Sequence, residues 1–332
     1  MVSSNDRRTE ELLRIEDLVV SFPKENMEIA VLNSINLSVG QGEIVGIVGE
    51  SGSGKSIACR SIIGLIPKPG RVSSGKIMFK GKNILGINKA EERILRSTQI
   101  GMIFQDPTSS LNPVFTIGDE LVKTLVNSGT SSKNLAVQKS IELLERVGLQ
   151  NPSERIFMYP HELSGGQRQR VMIALALACK PALLIADEPT TSLDVTIQLQ
   201  ILDLLLNLRK ETGMSILFVS HDMGVISRMC DKVAVMYGGY IVEFATTDSI
   251  LRFPQHPYTK ALISAVPKLT LDTQRVRLST ISGEPPKFSN LPSGCPFGPR
   301  CTSRQTSCSD LSMKLELVSG VHFSACPVER SL

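Results

Sequence analysis

The fold of this chain is decided by residues 43–56, which read EIVGIVGESGSGKS. Residues 44–48 are apolar or glycine, a composition typical of a short strand buried on both faces of a parallel sheet. A glycine- and serine-rich turn follows, and the apolar pattern of residues 55–65 predicts a helix after it. This order brings backbone N–H groups and the positive end of a helix to one place, where an anion can bind.

The same stretch matches the pattern G-x-x-x-x-G-K-[ST], in which a glycine-rich backbone surrounds phosphate oxygens. Chance produces such a string in roughly one chain in a hundred of this length, but its place between a predicted strand and a predicted helix favours a working site. We expect Lys55 to neutralise the β- and γ-phosphates and the Ser56 hydroxyl to ligate Mg²⁺. The predicted nucleotide-binding residues in this loop are Gly49, Ser51, Gly52, Ser53, Gly54, Lys55, Ser56 and Ile57.

An apolar run at 183–186 ends in two acids, Asp187 and Glu188. A buried strand that delivers a carboxylate beside a phosphate loop is how such enzymes hold Mg²⁺, and Asp187 fits that role. Glu188 is placed to orient or deprotonate an attacking water. The plainer alternative, a solvated acidic pair at a strand end, is less favoured because of the phosphate loop upstream.

Residues 163–167 read LSGGQ and open a predicted helix over 164–179 with Ser164 as its N-cap. Taken alone, the string is only a helix start. A second group of N–H donors and a hydroxyl at a helix N-terminus is nevertheless another anion site. Two phosphate sites in one chain indicate either two ligands or two chains that share one ligand.

The rest of the chain predicts an α/β fold. Period-two patterns at 14–22 and 33–39 indicate an antiparallel edge sheet, and buried strands are predicted at 183–186, 215–220 and 233–237. Helical patterns at 116–149 and at 196–212, the second with Gly213 as its stop, alternate with these strands. Such alternation predicts a mostly parallel sheet covered on both faces, interrupted by a helical subdomain.

The composition of the chain argues against several classes of function. The 332 residues carry a net charge of +4, too small to argue for nucleic acid binding. The longest apolar run has nine residues, whereas a membrane-spanning helix needs about 20. The start of the chain lacks the apolar stretch of a secretion signal, so a cytoplasmic location is the default expectation.

Four of the seven cysteines fall in the last 40 residues: Cys295, Cys301, Cys308 and Cys326. Four thiols in a proline-rich segment without helical periodicity suit a tetrahedral thiolate site. Their gaps are longer than those of most zinc sites, and four unrelated reduced thiols remain the alternative. We read the segment from Gly283 onward as a small appended element whose order does not come from an apolar core.

Together, the phosphate loop, the LSGGQ string and the acidic strand end resemble the nucleotide-binding subunit of an ABC transporter. Further positions match the family's motifs: Gln105 resembles the Q-loop glutamine, Ser192-Leu193-Asp194 the D-loop and His221 the switch histidine. Phe22 resembles the aromatic residue that stacks on adenine. The strings HPYT at 256–259 and GCPF at 294–297 look like the dipeptide/oligopeptide branch, much of which nickel importers share.

The resemblance covers about residues 13–253 and implies a cassette over 1–255, with a helical subdomain at about 106–180, and a C-terminal region with the cysteine cluster over 256–332. It implies Glu188, His221 and Gln105 as catalytic residues and Ser56, Gln105 and Asp187 around Mg²⁺. The other implied ATP contacts are Phe22, Ser164, Gly165, Gly166, Gln167, Asp187 and Asp194. By the same resemblance we favour a [4Fe–4S] cluster on the four tail cysteines.

The family further implies an ATPase that powers uptake of dipeptides or oligopeptides at the cytoplasmic face of the cell (inner) membrane. Its expected partners are a second ABC ATPase subunit (a paralogue), two transmembrane permease subunits and an extracytoplasmic solute-binding protein, with no nucleic acid. The same machine could instead carry nickel, glutathione or another small solute.

Two other classes compete with transport. A soluble ABC ATPase acting on DNA or ribosomes is disfavoured, since no heptad run and no second cassette are present. A metal-dependent interaction protein that uses the cassette only as a scaffold is disfavoured because both Lys55 and Glu188 are present.

Overall fold

The computed structural model describes residues 10–25, 27–191, 193–266 and 280–328. The strands are β1 (Glu11–Lys24), β2 (Met27–Gly40), β3 (Ile44–Val48), β4 (Arg71–Phe79), β5 (Lys82–Asn83), β6 (Ile100–Ile103), β7 (Leu183–Asp187), β8 (Ser215–Ser220), β9 (Lys232–Tyr237), β10 (Tyr240–Thr246), β11 (Glu316–Ser319) and β12 (His322–Ser324).

The helices are α1 (Lys55–Ile62), α2 (Lys89–Thr98), α3 (Pro107–Ser110), α4 (Ile117–Asn127), α5 (Lys133–Arg146), α6 (Pro152–Arg155), α7 (Gly165–Leu177), α8 (Val195–Thr212), α9 (Met223–Met229), α10 (Thr247–Arg252) and α11 (Pro257–Ser264). Short 3₁₀ turns occur at Pro160–Glu162, Phe288–Asn290, Gly298–Arg300 and Thr306–Ser309. None of the helices in the described ranges is both long and apolar enough to span a bilayer.

The chain divides into two compact units, each built from several segments. Of the described residues, the first unit contains residues 10–15, Leu37–Glu43 and Lys76–Leu217, and the second unit contains Glu16–Asn36, Ile44–Gly75 and those from Phe218 onward. Strands β1, β2, β4 and β5 form a four-stranded sheet in the order β2-β1-β4-β5. Along β1 buried and more exposed positions tend to alternate, which matches the period-two pattern of the predicted edge sheet.

In the second unit the strands follow the order β11-β12-β10-β9-β3. β3 and β9 run parallel, with Val45 opposite Lys232, and every residue of β3 is buried. β9 and β10 form an antiparallel pair that starts at Tyr237 and Tyr240. β12 adds to the other side of β10 in an antiparallel register. The continuous apolar run that predicted β3 therefore reflects burial on both faces.

In the first unit β6 and β7 run parallel over their whole shared length, from Ile100 opposite Leu183 to Ile103 opposite Ala186. The helices α4, α5 and α7 pack on one another, with a small apolar core that includes Leu125 and Ala136. This set lies within the stretch predicted to be helical. α7 begins after Ser164 and α8 ends before Gly213, as predicted.

Helix α1 is shorter than predicted, and its C-terminal cap gives the reason. Gly64 adopts a left-handed backbone conformation with φ of 67°. Its N–H donates to the Ser61 carbonyl, and the Leu65 N–H donates to the Arg60 carbonyl at 2.9 Å. This pair of bonds closes a Schellman cap, which ends the helix at Ile62 although the apolar residues continue.

The C-terminal segment contains more regular structure and more apolar packing than its composition suggested. β12 pairs with β10, with Glu243 opposite Ser324. The buried ring of Phe297 packs at 5.3 Å from the rings of both Tyr237 and Tyr258. A three-residue strand and a single aromatic anchor have no periodicity, so the sequence patterns did not reveal them.

Candidate functional site

The glycine-rich turn of residues 49–54 lies in the second unit, between the C-terminal end of β3 and the start of α1. Gly49 has no room for a side chain, because a Cβ atom there would lie 2.1 Å from the Met236 carbonyl oxygen. Gly54 is the N-cap of α1 and has a φ of 106°, a conformation that other residues rarely adopt. The sequence requirement for glycine at these two positions is thus explained by the backbone itself.

Lys55 is buried, with 4% of its surface exposed, and its ammonium lies on the loop's own backbone. The Nζ donates to the carbonyl oxygens of Gly49 at 2.8 Å and Glu50 at 2.9 Å. The Ser53 hydroxyl is buried and has no hydrogen-bond partner. A buried ammonium, an unpartnered hydroxyl and the helix N-terminus form a donor set that fits the phosphates of a nucleotide with its Mg²⁺.

Two other predicted residues of the second unit are placed by nearby elements. His221 follows the last residue of β8 and is exposed. The next residue, Asp222, caps α9 by accepting from the Gly224 N–H at 2.7 Å. On β1, Phe22 is half-buried, and a Cβ on Gly70 would lie 2.5 Å from its ring atoms, so the ring rests against that glycine.

In the first unit two buried acids lie at the C-terminal end of β7, Asp187 within the strand and Glu188 directly after it. Asp187 is the last residue of β7 and is 1% exposed. Glu188 is 9% exposed and has a left-handed φ of 49°. Its Oε2 accepts from Gln105 Nε2 at 3.1 Å and from Thr191 Oγ1 at 2.9 Å. The structure therefore brings Gln105 and Glu188 together, a contact that the sequence did not reveal, and adds Thr191 to the site.

The LSGGQ string forms a capping box at the start of α7. The Ser164 N–H donates to Gln167 Oε1 at 3.0 Å, and the Gln167 N–H reaches the Ser164 hydroxyl at 3.4 Å. A Cβ on Gly166 would lie 2.9 Å from a methyl group of Ile197, so glycine here allows α7 and α8 to approach closely. These residues face an open depression of about 530 Å³, whose lining includes Ser164, Gly165, Gly166, Gln167, Leu193 and Asp194.

Asp194 reaches this depression as the N-cap of α8 and accepts from the Ile197 N–H at 2.9 Å. Ser192 lies outside the described residues. The depression also contains a cation that the sequence did not indicate, Arg170. Its guanidinium donates to the Val147 carbonyl at 2.6 Å and to Gln200 Oε1 at 2.9 Å, and burial lowers its pKa from the ordinary value.

The structure does not support the iron–sulfur cluster predicted on Cys295, Cys301, Cys308 and Cys326. Within the ranges that the structure describes, no group of three or more His, Cys, Asp or Glu residues could hold a metal ion. Burial is the main reason that the pKa of Cys295 rises to about 11, and the other three tail thiols raise it further. Sequence spacing shows how many thiols the segment contains but not how they are arranged in space.

Comparisons with known proteins agree with these motifs. The family model for "ABC transporter" matches residues 32–191, and that for "Oligopeptide/dipeptide transporter, C-terminal region" matches residues 242–308. The oligopeptide transport ATP-binding protein OppD of Salmonella typhimurium is 44% identical over 323 residues, which cover 97% of this chain and 95% of that protein. The dipeptide transport ATP-binding protein DppD of Bacillus subtilis is 42% identical over 318 residues, covering 96% and 94% respectively.

A solved structure shares the fold of the cassette. The dimeric structure of a post-hydrolysis state of the ATP-binding cassette MJ0796, bound to ADP and Pi, matches with a TM-score of 0.64 and 27% identity. The match covers 71% of this chain and 98% of that chain.

Proposed function

The chain belongs to the ABC transporter family, and we propose that it is the ATP-hydrolysing subunit of an importer of dipeptides or oligopeptides. The observation that carries the proposal is identity of 42–44% over nearly the whole length of the oligopeptide and dipeptide transport ATP-binding proteins. The family membership and the α/β cassette fold predicted from the motifs are both confirmed by these comparisons. The domain boundaries at 255/256 and at about 106–180 stay predictions.

The phosphate loop supplies the binding part of the proposed reaction. Lys55 would exchange its two carbonyl partners for phosphate oxygens, to which charge-assisted hydrogen bonds are stronger. Ser56 at the start of α1, Asp187 at the end of β7 and Gln105 are the residues proposed to hold Mg²⁺. The ion, when bound, neutralises charge on the phosphates.

Glu188 is the residue proposed to position and deprotonate the attacking water. Hydrogen bonds from Gln105 and Thr191 to the same carboxylate oxygen fix the orientation of the side chain. A general base must be held in a defined direction relative to the proton that it removes. Gln105 thereby has a positioning role on Glu188 in addition to its proposed place beside the metal. His221, exposed after β8, is proposed to contact the γ-phosphate.

The capped start of α7 is proposed as the second phosphate site, serving a nucleotide bound to another cassette. The support is chemical: Ser164, Gly165 and Gly166 present a hydroxyl and backbone donors at the helix N-terminus, on the wall of an open depression. We propose that the other cassette is a paralogue. Two permease subunits and an extracytoplasmic solute-binding protein would complete the complex, peripheral to the inner membrane on its cytoplasmic face.

Transport measured in proteoliposomes tests this proposal. The chain is purified with its permease partners and the solute-binding protein, and ATP-driven uptake of a dipeptide, an oligopeptide, glutathione and Ni²⁺ is compared. We expect peptide uptake that requires ATP. Uptake of Ni²⁺ or glutathione in place of peptides would favour the alternative solutes, and an absence of any uptake together with tight binding to DNA or ribosomes would contradict a transport role.

A further inference from the structure

Within the second unit, the C-terminal segment contacts the phosphate loop through a bidentate ion pair. Arg300 closes the 3₁₀ turn Gly298–Arg300, and its guanidinium reaches the carboxylate of Glu50, the second residue of the loop. Nη1 lies 2.6 Å from Glu50 Oε2, and Nη2 lies 3.0 Å from Oε1. Parallel bonds of this kind are the strongest arrangement that arginine makes with a carboxylate.

The surroundings of Arg300 hold the guanidinium in this position. Its side chain is 6% exposed, and that of Glu50 is 23% exposed. The guanidinium also donates to the Tyr237 hydroxyl at 3.1 Å and to the backbone carbonyls of Ile281 at 3.2 Å and Ser282 at 2.8 Å. The guanidinium is therefore buried and held in one orientation, unlike the arginines of exposed ion pairs, which contribute little.

The loop side of the contact is equally constrained, because Glu50 is held by its backbone as well as by its side chain. Its N–H donates to the Tyr258 hydroxyl at 2.9 Å, and its carbonyl accepts from Lys55 Nζ at 2.9 Å. The carboxylate thus belongs to the same residue that contacts the phosphate-binding ammonium. A negative charge here, if not neutralised, would repel a triphosphate.

We propose that Arg300 is a positioning residue for nucleotide binding, which acts through Glu50 by cancelling the charge of this carboxylate on the phosphate loop. The inference rests on the proposed function and adds a role for the C-terminal segment, which would control ATP affinity in the same chain. Glu50 and Arg300 would then act as a charge pair. Removal of Arg300 alone would weaken ATP binding more than removal of both residues.

Burial lowers the pKa of Arg300, but the hydrogen bonds to Glu50 and Tyr237 and the nearby charges outweigh it, so that the net pKa lies above the ordinary value. The guanidinium accordingly keeps its charge at neutral pH, and the effect of its loss on nucleotide affinity is expected to depend on the salt concentration.

Equilibrium binding of ATP with Mg²⁺ to the full-length chain, measured calorimetrically, tests the proposal. All variants carry E188Q, so that ATP stays intact, and E188Q alone is the reference. R300Q is expected to raise the Kd for ATP about tenfold at low ionic strength. The increase should be much smaller at about 1 M salt, where the Debye length is about 3 Å and the repulsion between Glu50 and the triphosphate is screened. The double variant E50Q/R300Q is expected to bind within about threefold of the reference, because neither charge remains.

Matched variants separate charge from structure. R304Q changes an exposed arginine of the same segment and should bind as the reference does. R300K keeps the charge and should restore most of the affinity, and E50Q alone, which needs no change in the segment, should bind at least as tightly as the reference. Each variant's thermal unfolding midpoint confirms folding. Should R300Q not fold, E50Q still tests the proposal, because an E50Q variant about tenfold weaker than the reference would overturn it.

Three results would overturn the inference: R300Q binding like the reference, a double variant as weak as R300Q, or E50Q about tenfold weaker than the reference. A reference that binds no ATP would overturn the proposed function as well, so the two failures are distinguishable.

Discussion

At the residue scale, the chemistry of the candidate site depends on side chains that the fold has already oriented. Lys55 rests on two loop carbonyls, and Glu188 receives two hydrogen bonds on one oxygen. Both residues are buried, and preorganised charges act more strongly in a site that excludes water. Binding and hydrolysis are thus assigned to different residues and can be removed separately.

Substitution of Glu188 by glutamine separates the two steps. E188Q keeps the shape and one oxygen of the side chain but removes the base, so ATP hydrolysis should fall at least about a hundredfold while ATP binding stays within about threefold. Phosphate release and calorimetric binding on the same preparation measure both quantities. The matched control E142Q, an exposed glutamate on α5, should hydrolyse ATP normally. Near-normal hydrolysis by E188Q would remove Glu188 from its proposed role.

The raised pKa of Cys295 gives a pH-dependent prediction. Because burial raises this pKa to about 11, the thiol stays protonated near pH 8 and should react slowly with iodoacetamide. Its rate should increase as the pH approaches 11, where the thiolate forms. Peptide mass spectrometry measures the labelling, with the same protein in denaturant as the control.

If Cys295 were labelled at pH 8 as fast as in denaturant, the prediction of a buried, protonated thiol would be wrong. Stoichiometric iron or zinc in an anaerobic preparation would contradict the absence of a metal-binding group among the described residues.

At the element scale, a single buried carboxylate connects three parts of the second unit. Glu243 on β10 is fully buried and accepts from the N–H groups of Gln255 and His256 at 2.7 and 2.8 Å. The ring Nε2 of His322 on β12 lies 2.7 Å from the same carboxylate. The carboxylate thus joins the central strand, the start of α11 and the C-terminal strand.

Replacement of this carboxylate should therefore destabilise the fold. In E243Q an amide group replaces one acceptor oxygen, so at least one buried donor loses its partner, and we expect the free energy of unfolding to fall by about 3 kcal/mol. Urea denaturation measures the loss. The control E284Q, an exposed glutamate of the C-terminal segment, should change the free energy by less than about 0.5 kcal/mol. A fully stable E243Q protein would show that β12 is not anchored in this way.

The elements that the sequence predicted well are those with strong periodicity or clear end signals. The fully apolar run of β3 and the stop of α8 at Gly213 both appear where they were expected. The elements that were missed depend on partners far away in the sequence. The three-residue strand β12, for example, forms by pairing with the edge of β10. Local patterns carry no information about such pairings.

At the scale of the whole molecule, the motifs predicted the family and the comparisons confirm it. They did not predict which side chains contact one another. The Gln105–Glu188 bond joins residues 83 positions apart, and the Arg300–Glu50 pair joins residues 250 positions apart. The same limit applies to the tail cysteines, where the spacing suggested a cluster that the described residues do not support.

The proposed coupling of ATP hydrolysis to peptide import can be measured as stimulation of the ATPase by the transported peptide. Phosphate release is followed for the complex of this chain with its permease partners in liposomes, before and after addition of peptide-loaded solute-binding protein. We predict that release is stimulated by the loaded binding protein and is lost in E188Q. Release that is absent, or that is unchanged by the loaded binding protein and by E188Q, would contradict the claim.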